Sequence, residues 1–296
     1  MLIVGGGPAG LSAALILGRC RLSALICDNG DQRNLRSHHL HGLLGHDGTP
    51  PASFLDKGRS DVAKYSSISE RSSRVESIER QAGGFAFLCA DGTRGTAKRI
   101  LLATGIADEL PKIDGIDGVY GQAVHHCLYC DGFEYAGRPL AAFGNADKGA
   151  ALALMMTHWS PHVALLTNGE PLGKSLRARL LQKGIELHEE RIERMWQVDA
   201  SLLRIAFING KSVDWAALFF STGCGQKSDL WRQLGCRRDK KGGLIADPLT
   251  GETTSFGVYA AGDASRDVLL IAVAVAEGAK AAVSITRAFL TEKGLI

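Results

Sequence analysis

A glycine-rich segment near the N-terminus, Gly5 to Gly10, constrains the fold more than any other part of the chain. It follows the apolar segment Leu2 to Val4 and precedes an apolar stretch from Leu11 to about Gly18. A second apolar segment, Leu22 to Cys27, then ends at Asp28. A strand, a glycine turn, a helix, a second strand and an acid in this order predict a βαβ unit with two parallel strands.

The glycine spacing in this segment indicates a dinucleotide-binding turn. Gly5 makes the tight turn, Gly7 lets the backbone approach a pyrophosphate, and Gly10 allows the helix to pack closely on the strand. The N-terminus of the following helix offers N–H donors and the positive end of a dipole to the phosphates. Asp28, at the end of the second strand, is placed to accept hydrogen bonds from a ribose. A chance glycine turn is the alternative, and the strand, helix and acid in register around the turn count against it.

The same pattern returns later in the chain. An apolar strand from Leu140, a glycine turn, a helix through Met156 and a strand at Val163 to Leu166 predict a second βαβ unit. The strands Ile100 to Gly105 and Ala216 to Gly223 both end in Thr-Gly, which is a weak internal repeat. We therefore predict an α/β protein with two Rossmann-like nucleotide-binding domains.

The segments between these motifs carry weaker signals. Glycine turns and alternating polarity predict a β-meander over residues 67–99, and polar composition predicts a loop over 30–51. Helices are expected over 52–65 and 268–289, and a strand ending in an acid over 258–263. Only Met1 to Val4 precede the first glycine turn, so either the first strand is short or the chain begins a few residues upstream.

Length and charge exclude several functions. The 296 residues suit two domains of about 150 residues each. Lysine and arginine total 34 against 31 acidic residues, so no dense basic face and no nucleic-acid partner are expected. Apolar runs such as Val268 to Ala276 end far short of the roughly 18 residues that cross a membrane, and no secretory signal is visible. We expect a cytoplasmic protein without membrane association.

Seven cysteines are present, and only Cys127 and Cys130 form a Cys-x-x-Cys pair. The odd number and irregular spacing are not typical of a disulfide framework in a secreted protein. Two thiols at this spacing can close a small redox disulfide; half of a zinc site and two inert buried thiols are the alternatives. The pair stands between the two nucleotide-fold units, and Asp131 follows it directly. We therefore predict a redox pair.

Four segments together make the chain resemble the low-molecular-weight thioredoxin reductases, two-domain flavoproteins that bind FAD. The segments are Gly5-Gly6-Gly7-Pro8-Ala9-Gly10, Ala103-Thr104-Gly105, Cys127-x-x-Cys130-Asp131-Gly132-Phe133 and Ala260-Ala261-Gly262-Asp263. The resemblance covers nearly the whole chain. It implies that Cys130 faces the flavin, that Cys127 exchanges with the substrate disulfide, and that Asp131 relays a proton.

The resemblance also implies how the chain is divided and where FAD is held. Residues 1–115 and 243–296 would form a discontinuous FAD-binding domain, and residues 116–242 a middle domain that carries the cysteines. The family is usually dimeric, so a homodimer is expected. The residues implied in FAD binding are Gly5, Gly7, Pro8, Ala9, Gly10, Asp28, His41, Thr104, Gly105, Gly262 and Asp263.

The middle domain departs from the family pattern where NADPH would bind. Its turn runs from Gly144 to Gly149, with Ala146 in place of the second glycine and Asp147 after it. A Cβ at Ala146 would intrude on the pyrophosphate, and the carboxylate of Asp147 would repel it. No arginine follows Leu166 to hold a 2′-phosphate, and Leu270-Ile271 replaces an Arg-Gln pair expected near the last helix. We therefore expect a degenerate pyridine-nucleotide site that binds NADPH poorly.

These departures resemble one branch of the family, the dithiol oxidases that close disulfides in small natural products of the gliotoxin and holomycin type. In that branch a dithiol reduces the cysteine pair, the pair reduces FAD, and oxygen takes the electrons. Oxidising a dithiol needs a base that works near neutral pH, and His125 and His126, directly before Cys127, are candidates, with plain strand residues as the alternative. No metal is predicted, because no ligand spacing fits the loop cluster His38, His39, His41 and His46.

The leading prediction is thus an FAD-dependent thiol–disulfide oxidoreductase that oxidises a dithiol. The alternatives are an NADPH-dependent thioredoxin reductase, a reductase fed by ferredoxin, and a non-enzymatic flavin redox sensor whose disulfide state gates an interface. The predicted partners are a small dithiol or disulfide, or a thioredoxin-like protein, with oxygen as an acceptor. The intact cysteine pair with its acid counts against the sensor.

Overall fold

The computed structural model describes residues 1–265 and 268–296, with the backbone alone for Ala146. The chain falls into two compact units. The first unit consists of Met1–Leu35, Gly42–Ala107 and Gly225–Ile296, and the second of Arg36–His41 and Asp108–Cys224.

The described residues form strands and helices in the following order. The strands are β1 Leu2–Val4, β2 Ala24–Asp28, β3 Ile68–Ser72, β4 Val75–Gln81, β5 Gly84–Cys89, β6 Arg94–Ala97, β7 Ile100–Leu102, β8 Ile106–Asp108, β9 Val124–His125, β10 Leu140–Phe143, β11 Val163–Leu166, β12 Glu186–His188, β13 Ile192–Asp199, β14 Leu202–Phe207, β15 Ser212–Trp215, β16 Ala217–Phe220, β17 Cys224–Gln226 and β18 Val258–Ala260. The α-helices are α1 Pro8–Arg19, α2 Pro51–Val62, α3 Leu128–Asp131, α4 Ala146–Met156, α5 Lys174–Gln182, α6 Leu230–Gln233 and α7 Ile271–Glu292.

The first unit is built on a parallel sheet in the order β18-β7-β1-β2-β3. Strands β1, β7 and β18 are apolar and buried along their whole length, as expected for parallel strands covered on both faces. Val4 pairs with Cys27 on one side and with Leu102 on the other, so three strands end together at the glycine turn. The predicted N-terminal βαβ unit is confirmed.

The segment predicted as a β-meander is divided between two sheets. Strand β3 joins the parallel sheet, where Ile68 pairs with Ala24, and only β4, β5 and β6 form the antiparallel meander. Helix α2 crosses over between β2 and β3, and a crossover of this kind produces parallel pairing. Because β3 is a mostly exposed edge strand, its sequence lacks the apolar run that marks its neighbours.

Helix α7, 22 residues long, packs against α1 in the first unit. A Cβ on Gly278 would lie 2.1 Å from the carbonyl oxygen of Ala9, so the two helices approach backbone to backbone. This contact holds α7 against the start of α1, the helix that follows the glycine turn. Among the described residues, no helix has both the length and the apolar character that a membrane crossing needs.

The later boundary between the units differs from the predicted one. Residues 225–242 were predicted to belong to the middle domain, whereas the structure places them in the first unit. Leu230 and Leu234 are buried in one apolar cluster with Ile78 of β4, and the N–H of Ile78 donates to the side chain of Gln233 at 2.9 Å. Burial of this segment against β4, which no local sequence pattern reveals, explains the difference.

The earlier boundary also differs, lying after Ala107 rather than after residue 115. Ile113 and Ile116 are buried together with Ile192 and Met195 in the core of the second unit. The segment therefore packs with β13 of the second unit.

The second unit contains a parallel sheet in the order β12-β11-β10-β16-β9 and an antiparallel sheet β13-β14-β15. Phe143 pairs with Leu166 and with Phe220, so these strands also end together. Helix α4 follows β10 after a glycine turn, and β11 lies parallel to β10, which confirms the second predicted βαβ unit.

Candidate functional site

The glycine turn between β1 and α1 has no room for a side chain at two of its glycines. Gly5 has a φ of +105°, and a Cβ there would lie 2.3 Å from the carbonyl oxygen of Ala103. A Cβ on Gly10 would lie 1.9 Å from the carbonyl oxygen of Gly5. Both distances are far inside normal contact, so this turn requires glycine at both positions.

The N-terminus of α1 is suited to an anion. Gly7 is the N-cap and makes no side-chain cap, and Pro8 occupies the start of the helix. A Cβ on Gly7 would meet only Gln32 Cγ, at 3.7 Å, so the backbone is open to a ligand there. The N–H groups of the first turn, including those of Ala9 and Gly10, face this opening, which a pyrophosphate can fill.

Asp28, at the end of β2, is a buried carboxylate with 7% of its surface exposed. Its Oδ2 accepts hydrogen bonds from Gln32 Nε2 at 2.6 Å and from Arg59 Nη2 at 3.2 Å. Arg59 also donates to Glu70 at 3.0 Å, so one arginine links α2 with β2 and β3. Sequence spacing does not reveal Arg59, because only the fold brings α2 beside the end of β2.

Four further predicted residues follow β7 and β18 at the same edge of the sheet: Thr104, Gly105, Gly262 and Asp263. Gly262 has a φ of +71°, and its N–H donates to Glu277 Oε2 at 2.7 Å. Asp263 Oδ2 accepts from Arg33 Nη1 at 3.3 Å. Next to Arg33, the buried Nδ2 of Asn34 has no hydrogen-bond partner within the described residues. A buried unpaired donor at the carboxyl edge of a parallel sheet is suited to a polar ligand.

The predicted redox pair lies at the start of α3 in the second unit. Cys127 and Cys130 are joined by a disulfide bond, and both are half-buried. Cys127 is the N-cap of α3, and its sulfur accepts a hydrogen bond from the Cys130 N–H at 3.1 Å. A sulfur that accepts a backbone N–H carries negative charge more readily, so Cys127 is suited to act as a thiolate once the disulfide opens.

The buried free thiols Cys27, Cys89 and Cys236 are less suited to exchange. Cys27 and Cys89 are buried with their sulfur atoms 3.7 Å apart. Burial, followed by the hydrogen bond with Cys89, raises the pKa of Cys27 to about 12. Burial also raises the pKa of Cys236. Such thiols stay protonated at neutral pH and react slowly, whereas Cys20 is free and exposed.

His125, at the end of β9, is enclosed between a carboxylate and a tyrosine and is 5% exposed. Its Nδ1 lies 3.4 Å from Asp131 Oδ1, and its Nε2 lies 3.1 Å from the hydroxyl of Tyr135. The same hydroxyl donates to the carbonyl oxygen of Gln122 at 2.7 Å. Three polar groups from β9, α3 and the turn after α3 therefore converge beside the disulfide.

His126 is held by a second tyrosine and a second carboxylate. Tyr120 donates a hydrogen bond to Asp108, and its oxygen lies 3.1 Å from His126 Nδ1. Because the tyrosine proton goes to the carboxylate, the tyrosine oxygen can only accept from the ring, so Nδ1 is the donor in the second contact. The side chain of His126 is 23% exposed and directly precedes Cys127. Sequence spacing gave no sign of Asp108, Tyr120 or Tyr135.

His41 belongs to the second unit, whereas the glycine fingerprint belongs to the first. Its Nε2 lies 3.4 Å from Oε1 of Glu134, a residue of the turn that follows α3.

Within the part of the chain that the structure describes, no group of three or more histidine, cysteine or acidic side chains is placed to hold a metal ion.

The glycine turn of the second unit differs from the first at its helix N-terminus. A Cβ on Gly149 would lie 2.7 Å from the carbonyl oxygen of Gly144, so both glycines are required, as in the first unit. Asn145 Oδ1 accepts the Lys148 N–H at 3.3 Å and thereby caps α4. Asp147 is exposed in the first turn, where its negative charge opposes an anion. Both features disfavour a pyrophosphate at this helix.

The loop after β11 lies beside an arginine that is distant from it in the sequence. Asn168 has a φ of +53°, and its Oδ1 accepts the Ile192 N–H at 2.8 Å. A Cβ on Gly169 would lie 2.9 Å from Cγ of Arg191. An arginine therefore lies beside the loop that was expected to lack one. The predicted steric effect of Ala146 concerns a side chain outside the described part of the structure.

Comparison with known proteins gives consistent matches over the chain. A family model described as pyridine nucleotide-disulphide oxidoreductase matches residues 1–278. A probable thioredoxin reductase of Arthroderma benhamiae is 30% identical over 305 residues, which cover 90% of this chain and 74% of that protein. A putative thioredoxin reductase, TrxB, from Bacillus anthracis has a TM-score of 0.94 at 30% identity, with 99% of both chains covered. The structure of HlmI has a TM-score of 0.93 at 28% identity, covering 99% of this chain and 93% of that one. These matches confirm the predicted fold class.

Proposed function

The chain belongs to the pyridine nucleotide-disulphide oxidoreductase family, and we propose that this oxidoreductase oxidises a dithiol to a disulfide with FAD as its cofactor. Electrons would pass from the dithiol to the Cys127–Cys130 disulfide, then to FAD and to oxygen. The observation that carries the proposal is the pair of histidines before the disulfide, each of which lies near a tyrosine and a carboxylate. Thiol oxidation releases protons, and this arrangement supplies groups to receive them.

The first unit fits FAD at three points. The open cradle at Gly7 and the uncapped start of α1 suit the pyrophosphate. Asp28 would hold the adenosine ribose, and Asp263 with the unpaired Asn34 amide would face the rest of the cofactor. His41, Thr104, Gly105 and Gly262 remain proposed contacts by family resemblance. Once bound, FAD would accept two electrons from the cysteine pair and pass them to oxygen.

The exchange at the cysteines can be written bond by bond. A substrate thiolate attacks the sulfur of Cys127, the enzyme disulfide breaks, and Cys130 becomes the leaving thiolate. The second substrate thiol then displaces Cys127, which closes the substrate disulfide and leaves both enzyme cysteines reduced. His126, which directly precedes Cys127, is the proposed base for the attacking thiol. The overall change is one dithiol and one O₂ converted to one disulfide and one H₂O₂.

An NADPH-dependent thioredoxin reductase is the second candidate, with two observations in its favour and two against it. The names of the relatives reported above, and Arg191 beside the Gly169 loop, favour it. The Asn145 cap and the exposed Asp147 at the start of α4 oppose it. We favour the dithiol oxidase because the start of α4 disfavours a bound pyrophosphate. NADPH and NADH both carry a pyrophosphate, so the start of α4 weakens the binding of either cofactor. A ferredoxin-linked reductase and a flavin redox sensor have no observation of their own in their favour.

Oxygen uptake tests the proposed function. With dithiothreitol as substrate, we expect one O₂ consumed for each disulfide formed, measured with an oxygen electrode and a thiol assay. Catalase should return half of the oxygen, because the product is H₂O₂. A Cys20→Ser variant is the matched control and should behave like the wild type, since Cys20 is exposed and free. Oxidation of the dithiol without oxygen uptake would show that another acceptor takes the electrons.

We also propose that the protein is a cytoplasmic homodimer. Light scattering would measure its oligomeric state.

A further inference from the structure

Glu277, on helix α7, contacts the short turn over residues 262–265 that carries Asp263. We propose that Glu277 is a positioning residue of the cofactor site, which fixes this Asp263 turn so that Asp263 is held toward FAD. Glu277 acts here as a hydrogen-bond acceptor, and its charge is not required. The inference rests on the proposed use of FAD as the cofactor.

A single oxygen atom of Glu277 contacts both ends of the Asp263 turn. Its Oε2 accepts the N–H of Gly262 at 2.7 Å and lies 3.0 Å from the hydroxyl of Ser265. The Ser265 hydroxyl also lies 2.9 Å from the carbonyl oxygen of Gly262, which accepts the Ser265 N–H as well. The first and last residues of the turn are therefore tied to each other and to α7, with Asp263 between them.

Gly262 makes the turn dependent on such a contact. Its φ of +71° lies in the left-handed region, and a Cβ there would lie 2.9 Å from the Cβ of Ala9. The position therefore favours glycine, which loses more conformational freedom on ordering than any other residue. A hydrogen bond that holds the Gly262 N–H consequently determines where the backbone of the next residue, Asp263, begins.

Helix α7 presents Glu277 from a fixed position relative to α1. A Cβ on Gly278 would lie 2.1 Å from the carbonyl oxygen of Ala9, and the hydroxyl of Ser12 donates to the carbonyl oxygen of Val275 at 2.7 Å. Ala9 belongs to the first turn of α1, whose N–H groups would meet the pyrophosphate. Glu277 therefore sets the place of Asp263 relative to the phosphate end of the same cofactor site.

The remaining residue of the turn is held by other groups. The carbonyl oxygen of Ala264 accepts the N–H of Leu244 at 2.9 Å and Nε2 of Gln226 at 2.8 Å. Ala264 is fully buried, so these bonds keep it in the core. Loss of the Glu277 side chain should thus release the Gly262 end of the turn while the protein stays folded.

Both groups that meet Glu277 Oε2 can donate, which separates the role of the oxygen from that of the charge. The amide oxygen of a glutamine has two lone pairs and can accept from both groups. Glu277→Gln should therefore keep the turn in place, whereas Glu277→Ala should release it.

Hydrogen exchange of the Gly262 amide in the FAD-free protein, measured by NMR, tests the contact directly. We expect Glu277→Ala to raise the exchange rate at least about tenfold and Glu277→Gln to keep most of the protection. In FAD titrations, Glu277→Ala should weaken binding about 10- to 100-fold and Glu277→Gln less than about threefold. Glu79→Ala is the matched control, because Glu79 is an exposed glutamate of β4 in the same unit; it should change neither quantity.

A double variant separates positioning from a general structural role. If Glu277 acts through Asp263, adding Glu277→Ala to Asp263→Ala should change the FAD dissociation constant less than about threefold. A full additional loss in the double variant would overturn the proposal. A Glu277→Gln protein that binds FAD as weakly as Glu277→Ala would also overturn it, and so would a freely exchanging Gly262 amide in the wild type. A wild-type protein that binds no FAD would overturn the proposed cofactor, whereas the exchange rates alone would still show whether Glu277 holds the turn.

Discussion

Serine at position 127 is expected to lower the rate of dithiol oxidation by at least about 10³-fold, and serine at position 130 to do the same. A hydroxyl does not form a disulfide, so neither variant can complete the exchange. Both variants should still bind FAD, because the cysteines belong to the second unit and the glycine fingerprint to the first. Steady-state rates and the ratio of flavin to protein absorbance would measure the two effects separately.

The two variants should also differ from each other. Incubated with a linear small-molecule disulfide, Cys130→Ser should accumulate a mixed disulfide at Cys127, because the Cys127 thiolate displaces one thiol of the reagent and no neighbouring cysteine resolves the product; intact-protein mass spectrometry detects it. Cys127→Ser should not accumulate it. Cys20→Ser is the control and should keep wild-type turnover. Normal turnover in either active-pair variant would show that this pair is not the redox centre.

Alanine at Gly10 is expected to abolish FAD binding, whereas the wild-type protein should be yellow with about one FAD per chain. The new Cβ would lie 1.9 Å from the carbonyl oxygen of Gly5, so the backbone of the glycine turn must move. Displacing a turn that places N–H groups on a pyrophosphate removes several hydrogen bonds together, which corresponds to a loss of affinity of at least 10³-fold. The flavin content of the purified variant and its titration with FAD would measure the loss.

Gly118→Ala provides the matched control for this substitution. Gly118 has ordinary backbone angles, and a Cβ there would meet no atom within 4 Å. This variant should keep both its flavin and its thermal stability. A Gly10→Ala protein with full flavin content would contradict the assignment of the turn as the FAD site.

The sheet cores were predictable because apolar strands and glycine turns leave a local signal. Leu2–Val4 and Val163–Leu166 begin and end as predicted. Strand β3 was predicted as part of the meander rather than of the parallel sheet, because an exposed edge strand carries mostly polar residues and lacks the apolar run of its parallel neighbours. The segment after Cys224 was assigned to the other domain, because burial of Leu230 against β4 depends on residues far away in the chain.

The candidate site, like the fold, was only partly predictable from the sequence. The cysteine pair and its two histidines are contiguous, so their association could be predicted from spacing. Their partners Tyr120 and Asp108, however, are brought to His126 only by the fold. Arg191 shows the same limit, since its neighbour Gly169 lies on a different loop. Long-range partners of a site therefore need a structure, whereas its reactive centre can be found from sequence.

The direction of electron flow depends on the start of α4. The Asn145 cap occupies an N–H group that a pyrophosphate would use, and the Asp147 carboxylate repels it. Each defect is worth about 1–3 kcal/mol, so together they weaken a dinucleotide by roughly 30-fold to 2 × 10⁴-fold, with Arg191 acting in the opposite direction. The two defects share one helix end, so their effects need not add. NADPH is therefore expected to be a poor source of electrons.

Anaerobic reduction of the flavin tests the central claim, that electrons enter from a dithiol, most directly. The FAD-loaded protein is mixed under nitrogen with dithiothreitol or with NADPH while the visible flavin absorbance is followed. Dithiothreitol should bleach the flavin, air should restore its absorbance, and millimolar NADPH should leave the absorbance unchanged over a turnover time. Bleaching by micromolar NADPH within one turnover would contradict the account and identify an NADPH-dependent reductase.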